Sequence, residues 1–373
     1  MITYIKRSDD DSGIGGSFSE LDDMFGYSAN DVEKESGIEV VRNNELTSLL
    51  EKFESSLHAR INGEIGIDEV LTPSEINYFV SKTHIYRGYT SYNIQLSPFL
   101  TRLIQNSYIK GYNDFYLNFN GIDSPYNFMR GIDCTDEKNP IKMIIEGEVG
   151  PHFGEYSSNI SAKINGDCGY LLGNGSYNLD VSVFGDVGAR LASGSMNFKG
   201  VVTGNVSYES FMNAENGTIL IEGDVGSNFC RDAKRIYAEV KGNVGELFGY
   251  SSKEISMVIG GKCDHAFGHH AKNLDVTIKE FEISPRFCPG TKNSQIKTRS
   301  KKMVANILKY MGNCRKYSSV FSGINSKNSI FSDDELWQKY LCEVSDKTLD
   351  QSYNNSVIFI NDSGIDKEVI RFI

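Results

Sequence analysis

The sequence has no apolar run that approaches the roughly twenty residues a membrane-spanning helix needs. Its first residues contain no apolar stretch either, so we expect no secretory signal of the Sec type. Its seven cysteines are an odd number and form no Cys-x-x-Cys pair, which favours reduced thiols over a disulfide framework. Together these absences predict a cytoplasmic protein with no membrane contact.

Motifs of common enzyme chemistries are missing as well. The sequence has no nucleotide-binding fingerprint and no Ser, His and Asp in the order of a hydrolase triad. We therefore predict no catalytic residue, no cofactor and no metal. The net charge of −11 argues against a nucleic-acid partner.

What the chain does contain is a repeat of nineteen residues, which runs from Ile141 to Lys292 without insertion or deletion. We number its eight copies as coils 1 to 8; they begin at Ile141, Ile160, Leu179, Phe198, Gly217, Ile236, Ile255 and Leu274. Position 7 is glycine in seven of them: Gly147, Gly166, Gly185, Gly204, Gly223, Gly242 and Gly261. Glycine recurs at positions 10 and 14, as in "GNVGELFG" (242–249).

The other positions indicate the geometry of one coil. Apolar residues at positions 1, 3 and 5 alternate with more polar ones, as in a strand buried on one side. Positions 9 and 13 add two further apolar anchors, and glycine between the anchors permits a positive φ at a corner. Asparagine at position 19 is the next best residue for such a corner. We predict an all-β solenoid, with right-handed coils at 141–291 and most position-7 glycines at positive φ.

The motifs "GEVGPHFG", "GDCGYLLG", "GDVGARLA", "GDVGSNFC" and "GNVGELFG" resemble the GXGXG β-helix domain. That domain forms the C-terminal part of the large chain of glutamate synthase and the core of one chain of formylmethanofuran dehydrogenase. The resemblance covers about 150 of the 373 residues and implies a right-handed parallel β-helix. In those enzymes the domain is a structural and interface element, so no catalytic residue carries over. "GNVSYESF" (204–211) and "GKCDHAFG" (261–268) depart from the motif.

The segment before the repeats divides into two parts. Residues 1–42 hold four basic and ten acidic residues and few apolar ones, which predicts a disordered acidic tail. Residues 43–112 predict a helical cap, with an apolar face in the first helix and a capping box at "TPSE" (72–75). Its last helix is predicted to start at Ser97–Pro98.

The β-helix itself is predicted to span 113–293, because "FYLNFNG" (115–121) alternates like one more strand ahead of coil 1. Residues 294–373 predict C-terminal helices followed by a hairpin at 357–373. Both ends of the solenoid would then be covered, which protects strand edges that otherwise recruit other strands.

Two groups of polar residues are candidate ligand sites. The first is position 8, which we call the position-8 ladder; it reads Glu148, Asp167, Asp186, Asn205, Asp224, Asn243 and Lys262. Such a column can bind a cation or a sugar, or its side chains can hydrogen-bond the local backbone as Asx turns. The second is "KCDHAFGHH" (262–270), which is either a zinc site or a run of exposed histidines, with Cys263 facing the core and His265, His269 and His270 beyond it.

The fourth coil is the candidate partner-binding patch, because it breaks the glycine pattern at Ser207 and Phe211. Phe211 is either a surface anchor or fills the core space left by Ser210 at position 13. An aromatic residue near arginines is typical of interface centres. The predicted contact residues are Arg190, Tyr208, Glu209, Phe211 and Arg231.

These patterns predict a non-catalytic scaffold that binds a protein partner or belongs to a larger complex. The alternative is a carbohydrate-active β-helix enzyme, a lyase or hydrolase, which would use the acidic residues of the position-8 ladder. Activity on a polysaccharide would separate the two.

Overall fold

The structure is a computed structural model. It describes residues 43–58, 66–264, 266–281, 295–298, 355–360 and 366–372. The predicted acidic tail and the predicted C-terminal helices lie outside these residues. Within the described ranges, no helix combines the length and the apolar character required to cross a membrane.

Helices α1 (Asn43–His58), α2 (Pro73–Thr83) and α3 (Tyr92–Ile109) precede the strands, and a 3-10 turn at His84–Tyr86 follows α2. The apolar face predicted for α1 is confirmed, since Leu46, Leu49, Phe53 and Leu57 are buried and Leu50 is partly buried against them. The capping box is also confirmed: the Thr72 side chain accepts from the Glu75 backbone N–H, and the Glu75 carboxylate accepts from the Thr72 N–H at 2.8 Å.

Helix α3 begins earlier than predicted. The sequence placed its start at Ser97–Pro98, but the helix starts at Tyr92 and Pro98 lies inside it. Proline in a helix removes one backbone hydrogen bond. Tyr92 and Leu96 are buried in the added turn, and the packing of these large side chains outweighs that loss.

The remaining described chain forms one sheet whose twelve strands follow each other in sequence order, and the predicted solenoid fold is confirmed. Neighbouring strands pair in parallel from β1 to β11, while β11 and β12 pair antiparallel, as expected for the predicted hairpin. The strands are β1 Asp114–Asn118, β2 Ile141–Glu146, β3 Ser158–Asn165, β4 Tyr177–Val183, β5 Lys199–Val202, β6 Glu215–Ile221, β7 Lys234–Val240, β8 Lys253–Cys263, β9 Lys272–Phe281, β10 Gln295–Thr298, β11 Asn355–Ile360 and β12 Asp366–Phe372.

The interior is built from the positions that the sequence pattern indicated. Positions 5, 9 and 13 are buried in each of coils 1 to 7. Position 9 also forms a continuous column of parallel bridges, from Val149 through Cys168 and onward to Cys263. Each coil therefore contacts its neighbours both through the main strand and through this second short bridge.

Four backbone positions of each coil have positive φ: positions 12, 14, 16 and 19, with φ between 52° and 66° throughout coils 1 to 7. Only six of these residues are glycines. Hydrogen bonds between coils hold the others in place: His152 N–H donates to Tyr170 O of the next coil at 2.9 Å, and Ala192 N–H donates to Leu172 O of the previous coil at 2.8 Å. A strained conformation persists where its surroundings over-determine it.

One further coil, the leading coil, precedes coil 1 and is longer than the others. Phe115 pairs with Met143, a separation of 28 residues instead of nineteen. A backbone hydrogen bond to Pro151 aligns Asn127 with position 12 of the repeat. The bridge to Ser158 aligns Asp133 with position 18. Three extra residues therefore lie between Phe119 and Asn127, and six lie just before Ile141.

Candidate functional site

Six of the seven position-7 glycines are not at positive φ, so the prediction that most of them adopt it is wrong. Gly147 has φ +105°, whereas the other six adopt ordinary backbone conformations. They do lie at bends after the strands, except Gly261, which is inside β8. Glycine is required because a Cβ would collide with the previous coil: at Gly166 it would lie 2.5 Å from Gly147 O and 3.0 Å from Glu148 N.

The position-8 ladder lies beside these glycines and connects each coil to the next from coil 2 to coil 7. Asp186 N–H donates to the Asp167 carboxylate at 2.7 Å, and Asn205 N–H donates to the Asp186 carboxylate at 2.6 Å. Asn243 donates to Asp224 both from its backbone, at 2.6 Å, and from its side-chain amide, at 3.0 Å. The Asx turns within one coil that the sequence suggested are thus replaced by bonds to the following coil.

Phe211 is not a surface anchor. Its ring is fully buried, with its centroid 5.2 Å from the Phe198 ring and 5.8 Å from the Phe229 ring. The alternative given by the sequence, that it fills the space left by Ser210, is therefore correct. Gly217 makes additional room, since a Cβ there would lie 2.7 Å from the Phe211 ring.

The other predicted contact residues lie on the surface but not in one cluster. Tyr208 is exposed, and Arg190 Nε lies 2.7 Å from the Glu209 carboxylate, which forms an ion pair across two coils. Arg231 is elsewhere on the coil, at position 15, with its guanidinium 5.3 Å from the centroid of the Tyr250 ring. The structure thus separates Arg231 from the remaining three.

The histidine-rich segment continues the column that contains Arg231. Tyr250 and His269, at the same position of the next two coils, stack with ring centroids 5.1 Å apart, and the His270 ring lies 4.1 Å from that of His269. Cys263 is buried, as predicted, and His265 lies outside the described residues. No group of three or more potential metal ligands occurs in the part of the chain that the structure describes.

Cys134, Cys168 and Cys230 are buried and form no disulfide. Burial raises the pKa of the Cys134 thiol to about 11, and it raises the pKa values of Cys168 and Cys230 as well. A thiol with a raised pKa is a poor nucleophile, so these residues act as small core side chains.

Sequence reasoning missed a feature that extends beyond Tyr208. Tyr126, Tyr170 and Tyr208 occupy position 11 of the leading coil, coil 2 and coil 4, and we call them the tyrosine row. Their side chains are 46%, 49% and 52% exposed. The row is hidden in the sequence because the other members of position 11 share no residue type; reading every second coil reveals it.

Backbone hydrogen bonds fix the register of the row. At position 11, the carbonyl oxygens of Pro151, Tyr170, Ala189 and Tyr208 each accept from the preceding coil at 2.8–2.9 Å. With coils about 4.8 Å apart, successive tyrosines have backbones about 9.6 Å apart. Pro151 and Ala189 lie between them and carry shorter side chains, so a recess separates each pair of rings.

Polar groups surround the tyrosine row. The His152 ring contacts the Tyr170 ring edge-on at 5.1 Å, and the ion pair of Arg190 and Glu209 lies one residue further along the coil. The first three members of the position-8 ladder, all exposed carboxylates, precede the row by three residues. Position 10 between them is glycine in coils 1 to 3, which leaves the surface there flat.

Comparison with protein-family models, with curated proteins and with solved structures gives no match to this chain. The resemblance to the GXGXG domain therefore stays a prediction based on the motifs alone.

Proposed function

We propose that the chain is a non-catalytic β-solenoid scaffold, and that it binds another protein through the tyrosine row. The observation that carries this proposal is the regular exposure of three tyrosines along one side of the stack. Tyrosine and arginine are enriched at the energetic centres of protein interfaces. A rigid stack also loses little conformational entropy on binding, which favours affinity.

The position-8 ladder supports a structural role more than a catalytic one. One oxygen of Asp167, Asp186 and Asp224 already accepts hydrogen bonds from the next coil. A catalytic acid or base needs a carboxyl group that is free to exchange a proton with a substrate. The glycan-cleaving alternative would require these side chains to leave the bonds that connect the coils.

We place the scaffold in the cytoplasm. Cys134, Cys168 and Cys230 are buried and form no disulfide, which suits a reducing compartment. The resemblance to the GXGXG domain, which is an interface element in its enzymes, agrees with the proposed scaffold role.

Affinity capture with quantitative mass spectrometry tests the protein-binding role. The full chain is compared with Tyr170→Ser/Tyr208→Ser, and with the control Tyr156→Ser/Tyr177→Ser, which removes two exposed tyrosines outside the row. We expect at least one protein to be lost with the first variant and retained with the control. The interaction is then reconstituted from purified components. If every captured protein is retained by both variants, the row is not the binding surface.

A panel of polysaccharides tests the alternative. We expect no cleavage by the purified chain. Reproducible cleavage that disappears in Asp186→Asn/Asp224→Asn would favour the enzyme instead.

A further inference from the structure

We infer that the partner of the tyrosine row is a proline-rich segment in the polyproline II conformation, flanked by basic residues. This inference rests on the proposed function and names the chemistry of its ligand. The spacing of the row, its recesses and the charge beside it all point to such a segment.

The repeat distance of the tyrosine row distinguishes between possible backbone conformations of the ligand. A polyproline II helix has three residues per turn and a rise of 3.1 Å, so equivalent side chains recur about every 9.3 Å. The backbones of the tyrosines, two coils apart, recur about every 9.6 Å. Over the whole row the two repeats differ by only about 0.6 Å, which small side-chain movements absorb.

Other backbone conformations fit less well. Side chains on one side of an extended strand recur about every 6.6–6.8 Å, so a strand is about 3 Å out of register at the next tyrosine. Two turns of an α-helix span about 10.8 Å, which misses by about 1.2 Å per tyrosine and more than 2 Å over the row.

The chemistry of the row also suits proline. Pyrrolidine rings pack against aromatic rings, and the residues between the tyrosines, Pro151 and Ala189, have smaller side chains than tyrosine. Polyproline II makes no internal hydrogen bonds, so its carbonyl groups are available to the tyrosine hydroxyls. Because the ligand is already ordered before binding, little entropy is lost, and aromatic surfaces in other proteins recognise proline-rich segments for this reason.

The charge beside the row predicts the flanks of the ligand. Glu148, Asp167 and Asp186 run parallel to the tyrosines along the stack, and all three are exposed. Arginine or lysine residues next to the proline-rich core would lie within reach of these carboxylates. Binding should therefore weaken as the salt concentration rises.

The test is a titration of the full chain against a fluorescent peptide of three Pro-Pro-Leu repeats with an arginine at each end. A second peptide replaces every proline by glycine. We expect saturable binding of the first peptide and affinity for the second that is lower by at least about tenfold.

Variants of the row locate the site. Tyr170→Ser and, independently, Tyr208→Ser should each weaken binding about tenfold, a loss typical of an interface centre. Ala189→Tyr should weaken it by filling a recess, and Tyr156→Ser, outside the row, should leave it unchanged. Circular dichroism checks that each variant is folded. Equal affinity of the wild type and both serine variants would overturn the inference.

The outcomes also separate this inference from the proposed function. If the peptide fails to bind but a captured protein still depends on Tyr170 and Tyr208, the ligand class is wrong and the scaffold role stands. If neither the peptide nor any protein depends on the row, both are wrong. Binding of cellohexaose that Tyr170→Ser abolishes, without binding of the peptide, would assign the row to an extended glycan.

Discussion

The interior of coil 4 and the corner at position 7 differ in how freely their residues can be exchanged. In coil 4 the large ring has moved from position 13 to position 14, and small residues at Ser210 and Gly217 accommodate it. At the corner no such exchange occurs, because the contact is with the backbone of the previous coil. Contacts between side chains thus permit compensating changes, whereas the close backbone contact at position 7 favours glycine.

The largest expected effect tests compensation in the interior. Phe211→Ala should lower the free energy of unfolding by about 3–5 kcal/mol, since it leaves a cavity between Phe198 and Phe229. Gly217→Ala alone should cost about 1–3 kcal/mol, because its Cβ meets the Phe211 ring. In the Phe211→Ala background the second change should cost nothing. Urea unfolding of all four proteins measures the coupling; additive effects would contradict the proposed exchange of volume.

The corner should show the opposite behaviour. Gly223→Ala should cost about 1–3 kcal/mol, because its Cβ would lie 2.7 Å from Asn205 Oδ1 and closer still to Gly204 O. Gly194→Asn is the matched control, since Gly194 has φ +66° and open space around it. Asparagine tolerates that conformation, so the change should stay within about 0.5 kcal/mol. Thermal unfolding distinguishes the two; equal costs would mean that conformation, not contact, selects glycine.

Asp180, on the outer side of β4, should make the free energy of unfolding depend on pH. Burial raises the pKa of Asp180 to about 6, although Lys199 lowers it in part, and its Oδ1 has no hydrogen-bond partner in the described chain. The folded chain therefore holds a proton that the unfolded chain releases near pH 4, so stability falls as the pH rises from about 4 to about 6.

Asp180→Asn should remove this pH dependence. We expect it to raise the free energy of unfolding at pH 7 by about 1–2 kcal/mol and to change it little at pH 4. Urea unfolding between pH 4 and pH 7 measures the effect. Parallel pH profiles of wild type and variant would show that Asp180 is not the group responsible.

The smallest effect concerns the position-8 ladder. Asp224→Ala removes the acceptor of both bonds from Asn243 and should cost about 1 kcal/mol. Asp224→Asn keeps an acceptor oxygen, so its stability should match the wild type. A larger loss for asparagine than for alanine would mean that the charge, and not the hydrogen bond, is what the ladder needs.

The sequence predicted the coil boundaries, the buried columns and the capping box of α2, because each depends on local periodicity or on residues close in the chain. It misassigned the role of the position-7 glycines, since steric contact between coils is invisible in one repeat. The start of α3 was also missed: the rule for proline at helix starts is local, but burial of Tyr92 and Leu96 is a tertiary effect.

The candidate site was less predictable than the fold. Tyr208 was recognised because it lies in an irregular coil, whereas Tyr126 and Tyr170 lie in coils that gave no such signal. Tyr126 was also hidden by the extra residues of the leading coil, which shift it out of phase with the repeat. Phe211 was ambiguous because the choice between surface and core depends on Phe198 and Gly217 in other coils.

The nine extra residues of the leading coil have a practical consequence. Three follow the strand and six lie just before coil 1; backbone hydrogen bonds to coil 1 resume after each insertion, but the position-9 bridges begin only at Val149. The second place recurs between every pair of later coils, so peptides grafted there should be displayed without disturbing the stack. A set of such grafts would hold the inserted peptides at separations that are multiples of about 4.8 Å, so the solenoid would present epitopes at defined distances from each other.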